Sequence, residues 1–327
     1  MEKMKILKYL SFLLVMLAFN SCKKEAESIF TMFKDIEVTF HNKSEYSITE
    51  DAVLNDGDSV HIHYTITSAN EDMYRVVVDT TIGTGNYGER IINLKENERR
   101  SYSGVIKHKM MRDGKVTFRV YAMNIFNEYM GDGYTNITVD GRPSYTHLPN
   151  RKVYASRVNF AGGVAMDDNI DRRSFFSLRR AEAFDYQSGK TNSKDIDFGI
   201  HLLRDTRPAH LNRASFNLYS INTPTNPLPV YDISDWEKRN TMFSAPIKSA
   251  GTIFSQQLVS SSAIEARAKA VNINLLQTNI TEWDAALGPG NLVYFLTPEG
   301  KYGAMLVNQT TSDNEGPYIS VSVKYQN

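Results

Sequence analysis

The stretch VVVDTTIGTGNYGER places Gly83, Gly85 and Gly88 at the G-x-G-x-x-G spacing of a dinucleotide-binding turn. That chemistry needs a helix opening at the third glycine to hold a pyrophosphate on its amides, and an acid about 20 residues further on for the ribose. Gly88 is followed instead by ERIINLKENERRSYSG, with no apolar stripe at helical spacing, and Ser103 to His108 contains no acid. The glycines therefore read as a hairpin loop. Asp167, Asp168, Asn169 and Asp171 crowd oxygen donors into five residues, but calcium takes roughly six to eight oxygens. The spaced D-x-D-x-D-G of a calcium loop is missing, so Asp167, Asp168 and Asp171 are weak calcium candidates and a solvated turn is expected. Asp195 and Asp197 would stand about 6.6 Å apart on one strand face, a separation open to paired-carboxylate glycoside hydrolysis. Nothing else in the chain supports a hydrolase, and structural aspartates are expected.

His61 and His63 alternate as the start of a zinc site would, without a third ligand at a spacing that forces it nearby. His201 and His210 could ligate a haem, but no haem-binding motif accompanies them. No G-x-S-x-G elbow occurs, which removes the usual serine acyl-transfer arrangement. No catalytic residue, cofactor or resident metal is expected, and the chain reads as non-enzymatic. Binding of a sugar requires exposed aromatic faces with polar groups around them. Trp236 in ISDWEKRNTMF and Trp283 in ITEWDAA are the two tryptophans, each flanked by acids or amides. With Tyr186, Tyr219 and Tyr231 they are the glycan-binding candidates, and the competing expectation is that both indoles anchor a core.

The elements that position these residues begin with a leader. Residues 1–21 carry Lys3, Lys5 and Lys8 ahead of an apolar run from Tyr9 to Phe19, interrupted only by Ser11. The run is too short for a spanning helix, which needs about 20 residues, and it has the form of a secretory signal. It ends in AFNSC at Cys22, the single cysteine, which rules out intrachain disulfides and thiolate metal clusters. This ending resembles a bacterial lipoprotein signal, which implies cleavage before Cys22 and diacylation of its sulfur. Several acyl chains on one residue make a lasting anchor, since each buried methylene contributes about 0.8 kcal/mol. Residues 22–34, with KKEAES behind the cysteine, read as a solvated tether. Their acids partly resemble a surface-export signal, giving an outer-membrane, outward-facing expectation.

Whole-chain charge is balanced at 37 basic and 37 acidic residues, and removing the leader leaves 34 against 36. Such a chain offers no electrostatic footprint for nucleic acid. Abundant Tyr and Phe, with almost no long amphipathic helix pattern, predict a mainly β protein. Across residues 35–140 the segments DIEVTF, DSVHIHYTIT, YRVVVDTTI, RIINL, GVIKHKM, KVTFRVYAMN and YTNITVD alternate with polar turns, as in a sandwich of about seven strands. Residues 141–152, with two prolines and no periodicity, read as a linker. Residues 153–327 read as a second β-rich sandwich or jelly-roll-like domain. Short helices are expected from Ala263, where Ser262 and Glu265 form a capping box, and from Thr281 to Gly288.

The close of the first region resembles the last strands of Ig-like or polycystic-kidney-disease-type modules. The second region, in VNFAGGVAMDD, RSFFSLRRAEAFDYQSG, KDIDFGIHL, YDISDWEKRNTMF, LVYFLTPEGKYGAMLV and GPYISVSVKYQ, resembles the C-terminal domain of two-domain surface lipoproteins that accompany Sus-type polysaccharide-utilisation systems. That resemblance implies a glycan-binding protein or an accessory subunit of an outer-membrane polysaccharide-uptake complex, held to the membrane through Cys22. A structural or fimbrial-type surface subunit is the alternative; a glycoside hydrolase or haem-binding lipoprotein fits less well. The LRRAEAF segment, with Arg179 and Arg180 after FFS, departs from the small Gly-rich turn such proteins carry.

Overall fold

The computed structural model describes residues 35–83, 86–159, 172–205 and 213–327. Cys22, the three aspartates 167, 168 and 171, and His210 lie outside the described residues. The protein is mainly β, and no described helix is long and apolar enough to cross a membrane. It divides into two compact units. One contains Val60–His108, Val116–Val139 and the described chain up to Ala52; the other contains Val53–Ser59, Lys109–Lys115 and Asp140–Asn327.

Nine strands build the first region: β1 (Ile36–His41), β2 (Ala52–Leu54), β3 (Ser59–Ser68), β4 (Arg75–Ile82), β5 (Asn86–Asn93), β6 (Ser101–Lys109), β7 (Gly114–Met123), β8 (Tyr129–Gly131) and β9 (Asn136–Gly141). They form a three-stranded sheet, β1-β3-β6, and a larger one, β2-β9-β7-β4-β5, with β8 alongside β7. Period-two patterning sets the inner face. Along β3, Val60, Ile62, Tyr64 and Ile66 are buried while His61 and His63 point the other way. Tyr64 lies against Gly104 of β6, where any Cβ would stand 2.5 Å from the ring. β4 and β5 pair as the expected hairpin, with Ile82 opposite Asn86 and Thr80 opposite Gly88, while Gly85 lies outside the described residues.

The second unit stacks two sheets. One is β10-β20-β19-β18-β16-β17, from β10 (Tyr145–Tyr154), β16 (Met242–Ser244), β17 (Ile273–Leu275), β18 (Leu292–Leu296), β19 (Tyr302–Asp313) and β20 (Gly316–Gln326). The other joins β11 (Ser156–Asn159), β12 (Phe175–Ser177), β13 (Glu182–Phe184), β14 (Phe198–Arg204) and β15 (Ala214–Ser220), with β11 parallel to β14. Their shared core includes Phe176, Phe198, Ile200, Leu218, Phe295, Met305 and Val321. Each sheet is covered on its other face too. Phe175, Tyr219, Tyr231 and Trp236 form a second cluster on the five-stranded sheet. On the six-stranded sheet, helix α2 (Ser261–Lys269) and the π-helical turn Ile253–Gln257 bury Phe254, Leu258 and Ile264 against Leu292, Tyr294 and Ala304. Strands covered on both faces lose the alternation of a half-buried strand, which is why β12, β14 and β15 are buried along nearly their whole length, with Ser215, Asn217 and His201 among the buried residues.

Three expectations need correction. Residues 141–152 are no linker, because Tyr145–Tyr154 is an edge strand paired with β20. Its proline, Pro149, sits in a bulge between Leu148 and Arg151, one of the few places a sheet accepts a residue without an N–H. The helix expected from Ala263 starts earlier: Ser260 is its cap, accepting from the Ala263 amide at 3.2 Å. Ser262 donates its hydroxyl to Asp56 instead, at 2.8 Å. The helix expected at 281–288 shrinks to one 3-10 turn, Trp283–Ala285.

The tight seat of Tyr219 gives a stability prediction. A Cβ on Gly199 would stand 2.4 Å from the Tyr219 ring, so Gly199→Ala should cost about 1–3 kcal/mol through overpacking. Urea denaturation measures this, and a loss below about 0.5 kcal/mol would show that the ring can move aside.

Candidate ligand-binding site

The aromatic candidates separate into two groups. Trp236, Tyr231 and Tyr219 are buried, and Tyr186 closes over them, stacked 5.4 Å from Tyr231 and 5.8 Å from Trp236. Trp236 also packs 4.8 Å from Phe175. Gly189 makes room for the indole: a Cβ there would fall 2.8 Å from it. That glycine belongs to helix α1 (Tyr186–Thr191), whose cap Asp185 accepts from the Ser188 amide at 2.7 Å. The expected sugar platform of Trp236, Tyr231, Tyr219 and Tyr186 is thus an interior aromatic stack. Its sequence context looked irregular because the segment carrying Tyr231 and Trp236 has few regular elements; its burial comes from the sheet beneath.

Trp283 is different. It is 48% exposed and borders a pocket of about 540 Å³ with Arg213, Ala214, Thr281, Glu282 and Asp284. The turn that presents it is fastened from both sides. The buried Asn217 side chain of β15 donates to Ile280 O at 3.0 Å and accepts from the Ile280 amide at 2.9 Å and Thr278 Oγ1 at 2.7 Å. The Leu287 amide donates to Phe216 O at 3.1 Å. Asn291 donates through its amide to Asp284 O at 3.1 Å and Ala286 O at 2.8 Å. Gly288 passes so close that a Cβ would meet Trp283 O at 2.9 Å. Asp284 is paired with Lys248 at 2.6 Å, which holds its carboxyl below the ordinary range. The outcome is an indole face held still beside a guanidinium and two carboxylates.

The paired aspartates do not share a strand face. Asp195 ends a 3-10 turn, Ser193–Asp195, and only Phe198 begins β14. Asp197 is completely buried and accepts from the Leu178 amide at 2.8 Å, Arg239 Nε at 2.9 Å and Thr241 Oγ1 at 3.1 Å. Burial raises its carboxyl above the ordinary value, against the pull of Arg239. Asp195 accepts from Arg179 at 3.1 Å, and Arg179 and Arg239 both bind Glu299. Hydrogen bonding to Arg239 brings Glu299 down to about 2. Arg179 of LRRAEAF thus belongs to an ion-pair network with Asp195, Glu299 and Arg239.

His61 and His63 lie 6.1 Å apart ring to ring, and His41 stands opposite His63 in the β1–β3 register. That third histidine could have been found only by knowing the strand pairing. No group of three or more His, Cys, Asp or Glu among the described residues is arranged to hold a metal. His201 is fully buried, its ring 5.9 Å from that of Tyr219, and neither ring nitrogen has a hydrogen-bond partner among the described residues. Burial lowers its pKa to about 3. Against known proteins, no family model matches this chain and no curated protein is significantly similar to it.

Two predictions follow from these environments. Trp236→Ala should lose about 3–5 kcal/mol, as large aromatic deletions in a core do, while Trp283→Ala should stay within about 0.5 kcal/mol; chemical denaturation of both variants checks the contrast. His201 is neutral when folded, whereas the unfolded chain takes up a proton below about pH 6.5. Its contribution is therefore fully present above pH 6.5 and is lost as pH falls toward 3. Melting temperature against pH should decline less steeply over that window for His201→Gln than for the native chain.

Proposed function

We propose that this chain is a surface lipoprotein, anchored through acyl groups on Cys22, that binds a carbohydrate at Trp283. One observation carries the reading: an exposed indole on a turn immobilised by Asn217 and Asn291, set in a polar pocket. A sugar ring presents an apolar C–H face that gains by covering an aromatic plane, and hydroxyls around its rim that need polar partners. Glu282 and Asp284 supply acceptors, and Arg213 supplies donors. A platform already held in place loses little conformational freedom when the ligand arrives.

The basic, apolar leader ending at Cys22 supports the anchor. The resemblance of the second region to lipoproteins of Sus-type systems supports a role beside an outer-membrane polysaccharide transporter. Detergent-solubilised full-length protein on an array of neutral, uronic and sulfated polysaccharides tests the binding. At least one class should bind, and Trp283→Ala should weaken it by about tenfold or more, about 1.4 kcal/mol. Absence of binding across the array, or undiminished binding by the variant, would overturn the proposal.

A further inference from the structure

The first unit has an apolar tip at the pole where the chain enters it. β1 begins at Ile36 opposite Ser68, the last residue of β3. The entry point is fastened: Asp35 O accepts from the Ala69 amide at 3.0 Å, and its carboxylate accepts from Asn70 at 2.5 Å. Loop 69–74 then crosses to the other sheet, where the Tyr74 amide donates to Met123 O at 2.9 Å and Arg75 stands opposite Met123. Met123 ends β7. The turn 124–128, between β7 and β8, therefore lies at the same pole as Asp35.

That turn has a built shape. Asn124 Oδ1 accepts from the amides of Phe126 and Glu128, both at 2.9 Å, and its side-chain amide donates to Glu128 at 2.7 Å. Asn127 takes the left-handed conformation, φ 65°, and accepts from Arg75. The two residues this scaffold displays are Ile125 and Phe126, 54% and 76% exposed. Adjacent large apolar side chains on a braced turn are costly in water and are the kind of wedge that enters the boundary between headgroups and acyl chains. The same pole carries Asp35, Glu71, Asp72 and Glu128 with Arg75, Arg99 and Arg100, so no basic excess selects an anionic surface.

The chain outside the described residues supplies the occupant. Between Cys22 and Asp35 the chain can span at most roughly 45 Å, and it joins the unit at this pole. We infer that the Ile125–Phe126 tip sits in the interfacial layer of the bilayer that holds Cys22 and orients the first unit on it; this rests on the lipid-anchor reading. Two apolar side chains do not replace acyl chains as an anchor, so the tip sets orientation on a surface already reached.

The test uses full-length protein isolated from membranes and reconstituted in phosphatidylethanolamine–phosphatidylglycerol vesicles. Acylation leaves no other free thiol, so Phe126→Cys and, as the control at the far end of β4, Thr81→Cys each accept a single spin label. Intact mass of each preparation reports diacylglyceryl on Cys22 separately. With acylated protein, the label at 126 should show an oxygen-to-nickel-chelate accessibility ratio several-fold above that at 81. Equal, water-like ratios at both positions in acylated protein would overturn the inference while leaving the anchor intact. An unmodified Cys22 in the mass spectrum would remove the anchor, and the inference with it.

Discussion

The buried side chain of Asn217 is the constraint on which the candidate site depends. It lies at the centre of β15; its Oδ1 accepts from Thr278 and Ile280 of the loop that carries Trp283, and its side-chain amide donates to Ile280 O of that loop and to Ser215 O of its own strand. A buried amide with its donors and acceptors satisfied is specific in a way that apolar contact is not, because leaving any one group unpaired costs about 1–3 kcal/mol. The loop consequently has one place to sit. An exposed tryptophan on a freely moving loop would lose much of its contact energy in ordering, and Asn217 removes that loss in advance.

Much of the fold can be read from residues. The strands β1, β3 and β9 follow from alternation, because one face of each meets a core and the other is more open, whereas β4, with Val76, Val77 and Val78 all buried, is legible from its β-branched residues instead. The TPEGK turn between β18 and β19 follows from its composition, and Gly300 takes the positive φ that such a turn uses. Other elements were hidden for physical reasons. The edge strand β10 carries Pro149, and only the pairing with β20 reveals that the proline falls in a bulge. β16 and β17 are three residues each, shorter than any periodicity can register.

The site was legible in part. The residue type and polar surroundings of Trp283 are in the sequence, but so are those of Trp236, and local context does not separate an indole facing water from one seated on Gly189 beneath Tyr186. The difference is made by partners far away in the chain: Asn217 for one, Phe175 and Gly189 for the other. The same holds for the charges. Asp195, Asp197, Arg179, Arg239 and Glu299 span more than a hundred positions and meet as ion pairs only once folded.

The second unit draws on two short turns from within the stretch that precedes it in sequence. Asp56, from 53–59, accepts from the amide and hydroxyl of Ser262 at the start of α2, and Asp113, from 109–115, accepts from the amide and hydroxyl of Ser144. Expressing the chain from Gly141 onward would omit both carboxylates and take away the acceptors of the Ser262 and Ser144 amides and hydroxyls. Modular boundaries drawn along the polypeptide and those drawn in space disagree here, and a fragment intended to retain the Trp283 pocket must include pieces that a linear cut discards.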